Sequence, residues 1–152
     1  MENYSIMDKK DETILKLLKE NSKLTTQQIS KKTLMPITTI HNRIKKLLRE
    51  GIIKRYTIEL DNKKLGKNIS AYIHIMVDYR ILKENKISQH DLGKKLKQQE
   101  LVEEIAIVAG GTDMIIKVRV KDIDELDDFV TKKLRNMGGI EKTQTMVILN
   151  EV

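Results

Sequence analysis

The sequence predicts an α+β protein built in two parts, a mainly helical amino-terminal headpiece that ends in a strand and a mixed strand–helix module behind it. Three observations carry this expectation. Before residue 51, helix signals mark three short segments, two by apolar residues at helical spacing and one by a capping box. From residue 69 onward the patterns read as strands and helices in the order β-α-β-β-α-β. The formal net charge of +7 is lodged in one stretch rather than spread over the chain.

The first helix is announced by Asp8, a favoured N-cap, with Asp11 three residues on. Ile14, Leu15 and Leu18 follow at helical spacing with Leu17 beside them, and the helix is expected to end near Glu20-Asn21. Thr25 and Gln28 have capping-box spacing, in which hydroxyl and amide each satisfy a free backbone N–H. They predict a short second helix over about 26–33. Pro36, the chain's single proline, sits where proline is tolerated, in the first turn of a helix. The third helix then runs to Glu50, and Gly51 is a natural stop.

A helical projection of that third segment separates two faces. Ile37, Ile40, Ile44, Leu47 and Leu48 fall on one stripe. Thr38, Thr39, Asn42, Lys45, Lys46 and Arg49 fall opposite, with Arg43 on a flank and His41 at the edge of the apolar stripe. Residues 52–60 follow, alternating from Tyr56 onward, and are expected to form a strand. The headpiece is therefore placed at residues 1–60, a linker at 61–68, and the second domain at 69–152.

In that second domain, strands are expected at 69–79, 102–109, 114–120 and 142–149, with helices at 88–99 and from Asp122. The segment from Arg80 to Ser88 is expected to be a loop. Gly110-Gly111-Thr112-Asp113 has the composition of a tight hairpin between the middle strands. The element order is that of the ferredoxin-like split motif.

Composition narrows the function. Residues 31–55 hold Lys31, Lys32, Arg43, Lys45, Lys46, Arg49, Lys54 and Arg55 against Glu50 alone, which equals the whole net charge of +7. Such concentration is the electrostatic footprint of a polyanion ligand, although charge alone also suits an ordinary solvated helix. Aromatic residues make up only 3%. Readers of single strands and RNA usually stack bases on aromatic rings, so the balance moves toward double-stranded DNA.

The absence of cysteine excludes disulfides, thiolate metal sites and a cysteine nucleophile. His41, His74 and His90 lack metal-ligand spacing, so neither a metal site nor a cofactor is expected. No apolar run is long enough to span a membrane, and Met1-Glu2-Asn3-Tyr4-Ser5 does not read as a secretory signal. A cytoplasmic protein without a membrane partner is the expectation.

The residues Asp8, Asp11, Ile14-Leu15 and Leu18, then Ile29-Ser30, then Thr39-Ile40, Arg43-Ile44, Leu47 and Glu50-Gly51-Ile52-Ile53 with Tyr56, resemble the winged helix-turn-helix of the leucine-responsive regulator/AsnC (Lrp/AsnC) family. Gly110, Asp113, Gly139-Ile140, Thr143 and Thr145 are similar to that family's regulatory module of the RAM type. The likeness covers nearly the whole chain, with motifs of both halves in order. Two departures stand out: Leu34-Met35-Pro36 replaces the family's usual Gly-Leu/Val-Ser step, and the 80–88 segment is long.

The resemblance implies a transcription regulator without enzymatic activity. It implies a homodimer that can assemble into tetramers or octamers, and a small-molecule effector such as an amino acid. In such a helix-turn-helix, the second helix of the pair enters the major groove with its amino-terminal residues on base edges. Thr38, Thr39 and Asn42 are then the base readers. Arg43, Lys45, Lys46 and Arg49 suit phosphates, with Lys54 and Arg55 reaching phosphate from the wing. For the effector, Gly110, Asp113, Thr143 and Thr145 are carried over, with Asp113 suited to an ammonium group and the threonines supplying hydroxyls. On its own, each of these four residues equally suits turn geometry or strand pairing.

Two alternatives remain at this point. The same two-module plan resembles siroheme decarboxylases, for which His74 or Arg119 would meet the substrate's carboxylates. Against this, residues 61–152 carry a net charge of only +1, sixteen cations against fifteen carboxylates. The other alternative is an architectural, nucleoid-type protein that coats DNA without sequence preference.

Overall fold

The computed structural model describes residues 7–150, so the amino-terminal stretch read for a signal lies outside the described residues. The chain divides into two compact units, residues 1–60 and 61–152. Each is built around its own apolar cluster.

The first unit consists of α1 (Lys9–Glu20), α2 (Thr26–Thr33) and α3 (Ile37–Arg49). Each start has a local cause. Asp8 caps α1 by accepting the Asp11 N–H at 2.9 Å. Thr25 and Gln28 form the reciprocal box at the head of α2, at 2.9 and 3.2 Å. At the head of α3, Pro36 supplies a preset φ in place of a side-chain cap.

The α2–α3 turn is closed without the glycine expected of the family. Leu34 takes the left-handed conformation at φ 58° with its side chain 92% exposed. The Ser30 hydroxyl donates to the Met35 carbonyl at 2.6 Å and holds the turn. At the other end of α3, Gly51 at φ 71° lets the Ile53 N–H return to the Leu47 carbonyl at 3.0 Å. Ile14, Ile29 and Ile40 are fully buried against one another with Leu18 and Met35. This cluster is small, and truncating any one of these isoleucines is of the class that costs about 2–5 kcal/mol.

The expected wing strand is not formed. Residues 54–60 carry no strand, and Tyr56, Ile58 and Leu60 are exposed. The alternating pattern is present, but a strand exists only through its ladder, and no other strand lies among the described residues of this unit. Lys54 and Arg55 therefore sit on an irregular exposed segment rather than on a wing.

The second unit is a four-stranded antiparallel sheet in the order β2-β3-β1-β4, comprising β1 (Ile69–Val77), β2 (Val102–Ile107), β3 (Met114–Val120) and β4 (Ile140–Val147). Helices α4 (Tyr79–Glu84), α5 (Gln89–Lys97) and α6 (Ile123–Asp128) complete the order expected of the ferredoxin-like motif, with one addition. The segment 80–88, expected as loop, contains α4. Asp78 accepts the Arg80 and Ile81 N–H groups and converts the end of the first strand into a helix start, so Tyr79 belongs to α4 and not to the strand. Helix α6 continues as a π-helical stretch over Phe129–Leu134, where the Arg135 N–H reaches back five residues to the Val130 carbonyl at 3.1 Å.

One sheet face packs on the helices. Ala71, Ile73, Ile75, Ile116 and Val118 meet Leu82, Leu92, Leu96, Phe129 and Leu134 in a dry core. Gly139 fits here for a steric reason. At φ 97°, a Cβ would stand 2.5 Å from Leu82 Cδ2.

The opposite sheet face carries no helix. Register places Glu104, Lys117, Tyr72 and Met146 in one row across it, and Ala106, Ile115, His74 and Gln144 in the next. Tyr72, Met76 and Met146 are exposed there. The Lys117 ammonium lies 6.0 Å from the Tyr72 ring centroid.

Candidate nucleic-acid interface and effector site

Burial along α3 divides the predicted DNA-binding residues into two stripes. Thr38, Asn42, Lys45 and Arg49, spaced i, i+4, i+7 and i+11, are all exposed and form one continuous outward line. Thr39, Arg43 and Lys46 form a flanking line that is half-buried. Ile40 and Leu47 anchor the inner face with no exposure. Ile37 and Leu48, expected on the buried stripe, are exposed at its margins, and His41 is also exposed.

The cations differ in what they already bind. Among the described residues, no carboxylate pairs with Lys45, Lys46, Arg49, Lys54 or Arg55. These groups remain hydrated and can exchange water for phosphate. Arg43 is different. Its Nη1 stands 2.7 Å from Asp8 Oδ2 and 2.8 Å from Asp11 Oδ1. Asp11 is buried, with 1% of its surface exposed. The sequence projection could not reveal this, because the two carboxylates lie 35 and 32 residues away in the chain.

In the second unit, the hairpin expected at Gly110–Asp113 is tied to the end of β1. Asp113 Oδ2 accepts the Val77 N–H at 2.9 Å, and Oδ1 accepts the Tyr79 hydroxyl at 2.7 Å. The Asp113 carbonyl accepts from Gln89 Nε2 at 3.0 Å, and the Thr112 hydroxyl donates to the Ile75 carbonyl at 3.0 Å. Tyr79, Gln89 and Thr112 were not predicted for this site. The composition around Gly110 pointed to a turn but could not show what the turn is fastened to. The hydrogen bond to Asp113 holds the Tyr79 proton and raises that phenol above its usual range.

Thr143 and Thr145 stand on β4, opposite Ile75 and Ile73 of β1. Asp113 and Thr143 thus flank the same end of β1, about two strand spacings or ~10 Å apart. Thr143 also lines an open cleft of about 440 Å³ with Arg135, Ile140, Glu141 and Lys142. Gly110, Asp113 and Thr145 do not line that cleft: Gly110 and Asp113 lie in the hairpin at one end of β1, Thr143 lies across that end on β4, and Thr145 stands opposite the middle of β1. His74 is half-buried on the open face of β1, and Arg119, 8% exposed, pairs with Glu103 at 2.8 Å. These two lie four residues apart along the strands, on the order of 13 Å.

The headpiece ion pair has a pH consequence. The Asp11 N–H and then the Arg43 guanidinium hold the Asp8 carboxyl below its ordinary value of 3.8. A carboxyl depressed in the folded state contributes stability that is complete above the unfolded value and lost as pH falls through the folded one. Headpiece stability is therefore expected to be flat near neutrality and to decline below about pH 4. Urea midpoints followed by circular dichroism at about pH 6 and about pH 3 check this, and Asp8→Asn is expected to reduce the decline.

Comparison with known proteins agrees with both halves of this geometry. Residues 7–54 match the family profile described as winged helix-turn-helix DNA-binding, and residues 70–152, more than half of the chain, match that of the Lrp/AsnC ligand binding domain. The HTH-type transcriptional regulator FL11 of Pyrococcus furiosus is 35% identical over 144 residues, covering 95% of this chain and 90% of that protein. The HTH-type transcriptional regulator PF0250 of the same organism is 36% identical over 142 residues, covering 93% and 92%. Among solved structures, the L-Met complex of the transcriptional regulator NMB0573 from Neisseria meningitidis superposes with a TM-score of 0.88 at 23% identity, covering 97% and 92%. AsnC of E. coli superposes with a TM-score of 0.83 at 26% identity, covering 96% and 94%. With a helix-turn-helix whose outer face is cationic, a ferredoxin-like second unit, and both family profiles matched in order, the chain belongs to the Lrp/AsnC family of DNA-binding transcription regulators.

Proposed function

We propose that the protein is a cytoplasmic homodimer that reads duplex DNA with the exposed stripe of α3 and changes its assembly or half-site spacing on binding an amino acid. The observation that carries the DNA-reading part is the division of α3 into an anchored apolar face and an outward line, Thr38-Asn42-Lys45-Arg49, whose cations have no partner among the described residues. Asn42 suits adenine and Thr38 a thymine methyl or a hydrogen-bonding edge. Thr39, half-buried on the flank, is the weaker base reader. Lys45, Lys46 and Arg49, with Lys54 and Arg55 beyond the helix, suit phosphates.

The open sheet face supports the dimer. It combines exposed Tyr72, Met76 and Met146 with Glu104 and Lys117 in the Tyr72 row and Lys142 opposite Met76. Such a surface is self-complementary under a two-fold axis. The unpaired alternating segment 54–60 offers a second place for chain pairing. Two headpieces supply two half-sites, which a single small headpiece needs for affinity.

For the effector, Gly110 and Asp113 in the hairpin and Thr143 on β4 flank the same end of β1, Thr145 follows two residues along β4, and Asp113 offers a carboxylate for an ammonium group. The L-Met bound to the Neisseria regulator of the same fold supports an amino acid as the ligand class. A pocket left open in one chain is completed by a second, and each ligand shifts assembly only if it binds two states unequally.

Two outcomes are expected. Changing Lys45 and Lys46 to alanine lowers the salt slope of DNA binding by about 0.9 per lost phosphate contact, and an unchanged slope in salt-titrated binding curves refutes these assignments. Tyr72→Glu places a charge in the proposed sheet interface. Sedimentation is expected to show monomers, with affinity lost for paired half-sites and kept for a single half-site. A dimer that survives this substitution places the interface elsewhere.

A further inference from the structure

Arg43 follows Asn42 directly on α3, about 100° further round the helix. Whatever fixes the direction of one side chain fixes the direction of the other. The Arg43 guanidinium does not point along the exposed line. It is turned toward the first turn of α1, where Nη1 alone bridges Asp8 and Asp11 at 2.7 and 2.8 Å.

Two further features make this a built contact. Asp11 is 1% exposed, and burying a carboxylate so far from water is costly unless it is paired and hydrogen-bonded. Asp8 has a double role, since the oxygen that caps α1 at 2.9 Å also accepts from Arg43 at 2.8 Å. Withdrawing Arg43 to meet a phosphate would strand Asp11 and loosen the α1 cap together.

We propose that Arg43 is a positioning residue and not a DNA contact: its ion pairs with Asp8 and Asp11 lock the rotation of α3 against α1 and so set the angle at which Thr38 and Asn42 are presented to base edges. This rests on the DNA-reading role of α3. The triad carries specificity, and Lys45, Lys46 and Arg49 carry the phosphate attraction. Because a single nitrogen makes both contacts, the role needs a positive charge at that place but not the guanidinium fork.

The test uses the full chain, a duplex that the wild-type protein selects from a random-sequence pool, and a scrambled duplex of equal length. Affinity for both is measured across a range of salt. Arg43→Met is expected to weaken binding to the selected duplex roughly tenfold or more, the scale of one misaligned base contact, while binding to the scrambled duplex and the salt slope stay unchanged. Asp8→Asn is expected to lower the ratio of selected to scrambled affinity as well. That sign is diagnostic, because removing a carboxylate from a DNA-binding surface raises affinity if only electrostatics matter. Arg43→Lys is expected to restore most of the ratio, whereas a bidentate guanine contact would not survive it.

A fall in slope of about 0.9 in Arg43→Met, with both duplexes weakened equally, would make Arg43 a phosphate contact and overturn the proposal. So would an unchanged ratio in all variants. If Arg43→Met loses its helical circular dichroism, Asp8→Asn decides, since Asp11 still pairs with Arg43. A wild-type protein that selects no motif overturns the DNA-reading role before any variant is made.

Discussion

The headpiece depends on α3 serving two surfaces at once. Ile40 and Leu47 must be buried deeply enough to hold the helix on α1 and α2, while Thr38, Asn42, Lys45 and Arg49 stay in water on the far side. A helix of thirteen residues has little area for both tasks. The apolar stripe is accordingly narrow, and Ile37 and Leu48 are left partly bare at its margins. A stripe that narrow fixes distance from the core better than it fixes rotation about the helix axis. The Arg43 ion pairs with α1 supply that missing constraint, since charged hydrogen bonds are directional where apolar contacts are not.

The second unit divides its two sheet faces in a comparable way. The helix-covered face is a closed core in which Ile73, Ile75, Ile116 and Leu92 have no exposure, and it leaves no room for change, as the close fit of Gly139 against Leu82 illustrates. The other face leaves Tyr72, Met76 and Met146 exposed. The end of β1 nearest the hairpin is where rigidity and openness meet. Asp113 is held by Val77, Tyr79 and Gln89, while Thr143, across β1 on β4, lines an open cleft. A ligand there would act on parts already fastened to the core, which is what coupling a small molecule to assembly requires.

Much of this was legible from local chemistry. The Thr25–Gln28 box, the Asp8 cap, the Gly51 stop and the clean alternation of 69–77 depend on residues within four positions of one another, so sequence spacing carries them. What could not be read depends on distance or on partners. Alternation over 56–60 signals a strand, but no partner strand lies among the described residues of the headpiece, and none forms there. Helix α4 is a six-residue element, too short for its apolar period to show, and it exists because Asp78 caps it. Arg43 was grouped with the phosphate contacts on charge, and only the folded chain brings it to Asp8 and Asp11. Asp113 suits an ammonium group by its charge, but only the folded chain shows that its two oxygens also accept from Val77 and Tyr79.

The central claim is a dimer that reads sequence through α3. Its most direct test is selection of genomic fragments by the purified protein at near-physiological salt, followed by footprinting of the enriched sites. The account predicts a palindromic motif with half-sites about one helical turn apart. Uniform protection without a motif would contradict it and favour a protein that coats DNA.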